Sequence, residues 1–261
     1  MIRRLTRSDV PAVVDMIGRS FAKPLWPYMT YTQAGAAKHL DVAVRYPSAV
    51  EPRYLIVAED DRSGQPIGFA DFKLVDDRVG FLSYICVDQA ARGRGLATAM
   101  FRDFLRANPE VDSVSLDTFR DNAVARALYE RWGFTAVSSS VWVTRRLPVA
   151  GNAPLVPGLA VSLAALATYG FCELRVRRDA TESRVGVMGE SVLRCFDAET
   201  FEDDELLAGV RGLMPELELA FAVLPESQAG SLAAAHDVVL VSDRMTCEVG
   251  TSGLRRVRNE Q

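Results

Sequence analysis

Residues 84–100 read Tyr-Ile-Cys-Val-Asp-Gln-Ala-Ala-Arg-Gly-Arg-Gly-Leu-Ala-Thr-Ala-Met. The apolar run that closes at Val87 predicts a strand. Gly93 and Gly95 punctuate a short basic turn, and the spacing from Leu96 to Ala107 predicts a helix. Glycine reaches positive φ without penalty and leaves backbone N–H groups uncovered. Those groups point the same way as the free N–H groups and positive dipole end of the helix. Together they suit an anion, best of all a diphosphate. Arg92 and Arg94 add charge, as direct ligands or as solvated side chains.

Working outward, the first half alternates strand and helix signals. Short strand 2–5 precedes an amphipathic helix over 10–21, capped by Ser8 or Asp9. Residues 22–32 form a Pro-broken aromatic loop, and 33–45 a second helix. Strands follow at 53–58, 66–74 and 78–87, joined by turns at 61–64 and 75–77. After the helix at 96–107 come a strand at 114–118, a helix at 122–132 ended by Gly133, and a strand at 137–145. This order predicts a mixed α/β fold.

Three prolines and two glycines in 147–160 cannot continue a helix or a central strand. The expected organisation is a domain at 1–146, a linker at 147–158 and a smaller α/β domain at 159–261. In that second part a helix is expected at 159–168, then three strands within 172–196. An acidic-capped helix over 201–213, a strand at 218–224, a short helix near 227–235 and a closing hairpin at 238–249 follow.

The chain has 261 residues, 49% apolar and 25% charged, the balance of a soluble globular protein able to bury its own core. Residues 1–150 carry 20 Lys+Arg against 17 Asp+Glu, whereas 151–261 carry 10 against 17. Neither half has the dense basic face of a nucleic-acid binder. The longest apolar stretch, 159–171, is too short to span a bilayer, and no apolar run follows the early arginines. No membrane, no nucleic acid and no secretory signal are therefore expected. The expected setting is cytoplasmic, as a monomer or homodimer. Cys86, Cys172, Cys195 and Cys247 are far apart and read as buried thiols. With only His39 and His236, no metal site is expected.

A second segment runs Asn122-x-x-Ala125-x-x-Leu128-Tyr129-x-x-x-Gly133-Phe134. Asn122 is a natural N-cap. Tyr129 lies two turns further along the same helix face, so both side chains can address one cleft. Taken together, Arg92-x-x-Gly95-x-Ala97 and this segment resemble the GCN5-related N-acetyltransferases, across residues 1 to about 146. The second half resembles a degenerate copy of the same domain, without the Gly-rich turn or the Asn/Tyr pair.

The resemblance implies a GNAT acyl-CoA N-acyltransferase fold and a role for each motif position. The amides of Arg92, Gly93, Arg94, Gly95, Leu96 and Ala97, with the Thr98 hydroxyl, would hold the pyrophosphate of acetyl-CoA. The backbone of Ile85, Cys86 and Val87 would pair with the pantetheine arm, the Val87 amide polarising the thioester carbonyl. Asn122 would bond the pantetheine. Tyr129 would give a proton to the departing thiolate, unless it is only a core aromatic. These roles suit direct attack by an amine in a ternary complex. The expected acceptor is the primary amine of a small molecule, an amino sugar or natural-product amine being favoured. A protein N-acetyltransferase and a non-catalytic acyl-CoA-binding module are the alternatives.

Many family members carry a glutamate on the strand before the turn, as general base. Here 81–85 holds no carboxylate. Asp71, Asp117 and His39 are neighbours in the pattern but read as structural. Trp26 and Tyr28 would border the acceptor, or else pin their loop to its own core.

Overall fold

The computed structural model describes residues 1–47, 52–76, 78–178 and 181–249. In chain order the elements are β1 (Ile2–Arg4), α1 (Val10–Ser20), α2 (Ala36–Arg45), β2 (Arg53–Glu59), β3 (Pro66–Asp76), β4 (Val79–Val87), α3 (Leu96–Ala107), β5 (Ser113–Phe119), α4 (Ala123–Arg131) and β6 (Thr135–Arg146). Then come α5 (Leu159–Tyr169), β7 (Phe171–Arg178), β8 (Thr181–Met188), β9 (Val192–Cys195), α6 (Ala198–Glu202), α7 (Asp204–Leu213), β10 (Leu219–Pro225), α8 (Glu226–Ala229) and β11 (Asp237–Glu248).

The chain forms two compact units. Of the described residues, the first holds those within 1–22, 39–138 and 243–249; the second holds those within 23–38 and 139–242. In the first, strand order is β1-β2-β3-β4-β5-β11, the last supplied by the second part of β11. β2, β3 and β4 are antiparallel, and β5 joins β4 in parallel. Such a parallel pair needs a crossover, which α3 provides. Met100, Phe101, Phe104 and Leu105 of α3 pack on Ile56, Ala70, Phe72, Leu82 and Leu116 of the strands. Phe72 and Phe104 stack at 4.1 Å. Removing such a buried ring costs about 3–5 kcal/mol.

The second unit repeats this plan. β7, β8 and β9 are antiparallel, β10 joins β9 in parallel, and the second part of β6 pairs antiparallel with β10. Its core gathers Leu174, Val185, Val187, Leu193, Phe201, Leu206, Leu207, Val210 and Leu224.

Several sequence expectations are corrected. The closing hairpin is one continuous strand, β11. Its polar residues, Ser242 to Arg244, look like a turn but are satisfied within the strand. Ser242 accepts from Trp142 Nε1 at 3.2 Å, Asp243 binds two arginines, and Arg244 pairs with Asp117. The acidic helix is two helices, because the Asp203 carboxylate accepts from Leu206 N at 2.8 Å and starts a new one. The helix near 227–235 is the single turn α8.

The second helix begins at Ala36 rather than Gln33. Gln33 spends its side-chain amide on the carbonyls of Trp26 and Met29, both at 3.0 Å. The 22–32 loop contains two short 3-10 turns, Lys23–Tyr28 and Thr30–Thr32. The 61–64 turn is present, with Gly64 at φ +68. Of the 75–77 turn, β3 runs through Asp76 and Asp77 lies outside the described residues. The four cysteines are free and buried.

Candidate active site

The first unit separates β4 from β5 partway along. On the β3 side, Asp71 pairs with Tyr84 and Phe72 with Leu82, so Ser83 is an extra residue on β4. A bulge of this kind bends its strand and sharpens the twist. On the other side, the parallel ladder with β5 runs from Val79↔Ser113 to Leu82↔Leu116 and stops there. β4 continues to Val87. Among the described residues, the parallel ladder thus pairs no β5 residue with 83–87 of β4.

The Gly-rich turn begins where β4 ends. Asp88 accepts from Ala90 N at 3.0 Å and pairs with Arg19 at 2.9 Å, fixing the exit from the strand. Gly93 and Gly95 sit at φ +77 and +72. A Cβ at either would meet nothing within 4 Å, so glycine is needed for the backbone angle and not for space. Gly95 is the N-cap of α3, and no side chain caps that helix. The first intrahelical bond from this cap is Ala99 N to Gly95 O, at 2.9 Å. The amides of Leu96, Ala97 and Thr98 thus have no intrahelical acceptor. Arg92 and Arg94 are exposed. Arg92 Nε donates to the Val87 carbonyl at 3.3 Å, folding the side chain back over the strand end.

Asn122 caps α4 as its sequence suggests, its Oδ1 accepting from Ala125 N at 3.2 Å. Tyr129 is 7% exposed, and its ring packs against Trp132 and Phe134 at centroid distances of 5.6 and 6.0 Å. Burial pushes its hydroxyl up to about 12. A purely structural buried tyrosine usually hydrogen-bonds its hydroxyl. The Tyr129 hydroxyl has no protein partner among the described residues, yet it is not one of the fully enclosed, unsatisfied oxygens. Ring and hydroxyl thus have separate surroundings. Trp132 Nε1 donates to Thr98 Oγ1 at 3.1 Å, joining the end of α4 to the first turn of α3. Ile85, Val87, Leu96 and Ala97 pack on the cluster that contains Tyr129, so both motifs share one core.

Two of the sequence candidates for a base are held in ion pairs. Asp71 is buried and pairs with Arg53 at 2.8 Å. Asp117 is held by Arg244, with Nη2 to Oδ2 at 2.9 Å. Trp26 and Tyr28 belong to the second unit. There Tyr28 packs on Phe221 at 4.6 Å, and burial raises its phenol. Among the described residues no group of side chains could hold a metal ion, and no helix is long and apolar enough to cross a membrane.

Sequence reasoning missed the long-range contacts of two groups. Phe21 makes edge contacts with Tyr84 and Phe119, at 6.1 and 6.3 Å, where β4 and β5 part. Asp243 binds Arg120 and Arg126, on either side of Asn122. No local pattern links residues more than a hundred positions apart.

Residues 23–134 match the model of the acetyltransferase (GNAT) family. A mycothiol acetyltransferase from Beutenbergia cavernae is 36% identical over 137 residues, covering 51% of this chain and 43% of that protein. The chain thus spans less than half the length of this curated relative. A tandem GNAT protein from the clavulanic acid biosynthesis pathway superposes with a TM-score of 0.65 at 12% identity, covering 96% of this chain and 98% of that one. A candidate acetyltransferase from Pyrococcus horikoshii gives 0.61 at 16% identity, covering 95% and 89%. At these identities the two structures bear on the fold alone.

Proposed function

We propose, from the premise that residues 23–134 are a GNAT-family domain, that this chain acetylates a primary amine of a small molecule. Acetyl-CoA would supply an activated thioester, and the amine would attack it directly in a ternary complex. The observation that carries this reading is the pairing of two features in one unit. A helix N-terminus without a side-chain cap follows two positive-φ glycines, and the strand leading into it runs on past the end of its ladder with β5.

The residues present fit a diphosphate joined to an extended arm. The backbone of Arg92, Gly93, Arg94, Gly95, Leu96 and Ala97 would hold the phosphates, with Thr98 beside them. The edge of Ile85, Cys86 and Val87 would bind the arm as an added strand, and the Val87 amide would donate to the reacting carbonyl oxygen. Asn122 would use its side-chain amide on the arm. Tyr129 would hold a proton for the departing sulfur, since burial keeps its hydroxyl protonated. Asp71 and Asp117 are held in ion pairs, so an amine arriving neutral, or losing its proton to water, fits best.

Similarity to a mycothiol acetyltransferase favours a small-molecule acceptor, with an amino sugar or natural-product amine first. The second unit is read as a degenerate GNAT-like domain. The chain is expected to act in the cytoplasm, as a monomer or homodimer.

The test is thiol release from acetyl-CoA by the full chain with a panel of amines, amino sugars included. Thiol release that depends on an amine supports the reading. Binding of acetyl-CoA with no release by any amine supports a non-catalytic acyl-CoA-binding module, which the ion-paired Asp71 and Asp117 favour. No binding at all rejects both.

A further inference from the structure

Asp243 is far from both motifs in sequence, and its carboxylate is almost enclosed, at 7% exposure. It lies on the part of β11 that belongs to the first unit, beside β5. Its two oxygens serve different partners. Oδ1 accepts from Arg120 Nη2 at 2.9 Å and from Arg120 Nε at 3.2 Å. Oδ2 accepts from Arg126 Nη1. Arg120 lies two residues before Asn122, in the connection from β5. Arg126 lies one helical turn after it, and its amide donates to the Asn122 carbonyl at 3.0 Å. One carboxylate therefore ties down both flanks of the Asn122 cap.

The next residue provides a contrast. Arg244 points to the opposite face of the strand. It pairs with Asp117 on β5, and both side chains are nearly half exposed. That bridge joins strand to strand and does not touch the Asn122 turn. Attachment of β11 also has apolar support from Met245, Cys247 and Val249, all buried in the core cluster. A buried carboxylate between two guanidiniums is a poor way to add stability, since its desolvation offsets most of the attraction. It is an effective way to fix a turn, because losing it leaves two like charges facing each other.

We propose that Asp243 is a positioning residue, which sets the placement of Asn122 and the start of α4 for the bound pantetheine arm. The inference rests on the acetyl-CoA reading above. Its test reads acetyl-CoA affinity by calorimetry, and backbone hydrogen exchange, in the full chain. Asp243→Asn keeps the shape and removes the charge. It is expected to weaken acetyl-CoA binding ~10-fold, within the range of positional coupling, and to speed exchange in 119–126. Exchange in β2 and β3 should stay unchanged. Arg244→Gln, which breaks the neighbouring bridge, should alter neither readout in 119–126 nor acetyl-CoA affinity. If Asp243→Asn does not fold, Arg126→Met removes one limb of the clamp and should weaken binding in the same direction.

Unchanged affinity in Asp243→Asn, or an equal loss in Arg244→Gln, would overturn the proposal. If the unaltered chain does not bind acetyl-CoA, the functional reading fails by itself. Exchange in 119–126 then decides the clamp alone: localised acceleration upholds it, and none rejects it.

Discussion

In each compact unit a strand passes into helix beside a parallel neighbour, and the two passages differ in how they treat polar groups. In the first unit β4 outruns its ladder with β5, and eight residues (88–95) lead to α3. Two of them are glycines at positive φ, and no side chain caps the helix. In the second unit all of β9 is paired with β10, and two residues lead to α6. There Asp197 caps α6, accepting from Thr200 N at 2.7 Å and Thr200 Oγ1 at 2.8 Å. Asp203 does the same for α7 and is bound by Arg178. The second passage satisfies its own amides with carboxylates, and the first gives the amides at the start of α3 no side-chain cap. Shared topology therefore does not carry shared capping. The difference lies in a few side chains at helix starts.

The sharpest way to break this contrast is to give the first turn the second turn's cap. Gly95→Asp places a carboxylate where the diphosphate would lie and strains a residue at φ +72. Acetyl-CoA affinity should fall on the order of 1,000-fold, about 4 kcal/mol by calorimetry. Gly95→Ala separates the causes, since it adds only the left-handed strain of roughly 1–2 kcal/mol to folding. Equal affinity in Gly95→Asp and the unaltered chain would remove this turn from the site.

The helix after the parallel strand differs as well. α4 carries Tyr129, whereas its counterpart α8 is a single turn, Glu-Ser-Gln-Ala, with no tyrosine. Tyr129→Phe should lower kcat ~100-fold, the scale of a lost general acid, with acetyl-CoA affinity little changed. An unchanged kcat would return Tyr129 to a purely structural role. The pH profile adds a sign. With Tyr129 as the proposed acid the reaction needs the protonated phenol, and burial lifts it to about 12, so Tyr129 should contribute no alkaline fall in kcat until the pH nears that value. A Tyr129-dependent fall near ~10, the ordinary tyrosine value, would contradict the burial argument.

Smaller effects sharpen the other side. Asp197→Ala removes the cap of α6 and should cost about 1 kcal/mol of stability in thermal unfolding, with acetyl-CoA affinity unaltered. Arg92→Gln and Arg94→Gln should weaken acetyl-CoA binding only ~3-fold each, more at low salt, as expected for exposed charges. A large loss from either would mean that arginine side chains, not amides, carry the diphosphate.

The strand, turn and helix at 84–107 were legible because glycine spacing, apolar runs and helix periodicity are local signals. Asn122 and Tyr129 were legible for the same reason. The second part of β11 was not. Ser242, Asp243 and Arg244 resemble a turn, and only partners on β5, α4 and β6 explain why a strand tolerates them. The break at Asp203 was hidden in an acidic run whose members look alike until one is seen to cap. The segment with Trp26 and Tyr28 reads as an aromatic loop, but nothing local reveals that it packs on Phe221. Long-range pairing decided each of these cases.

The most direct test is a calorimetric titration of the full chain with acetyl-CoA. An open turn in one unit and self-capped helices in the other predict one molecule bound per chain, with that binding removed by Gly95→Asp. Two molecules per chain, or one that survives Gly95→Asp, would contradict it.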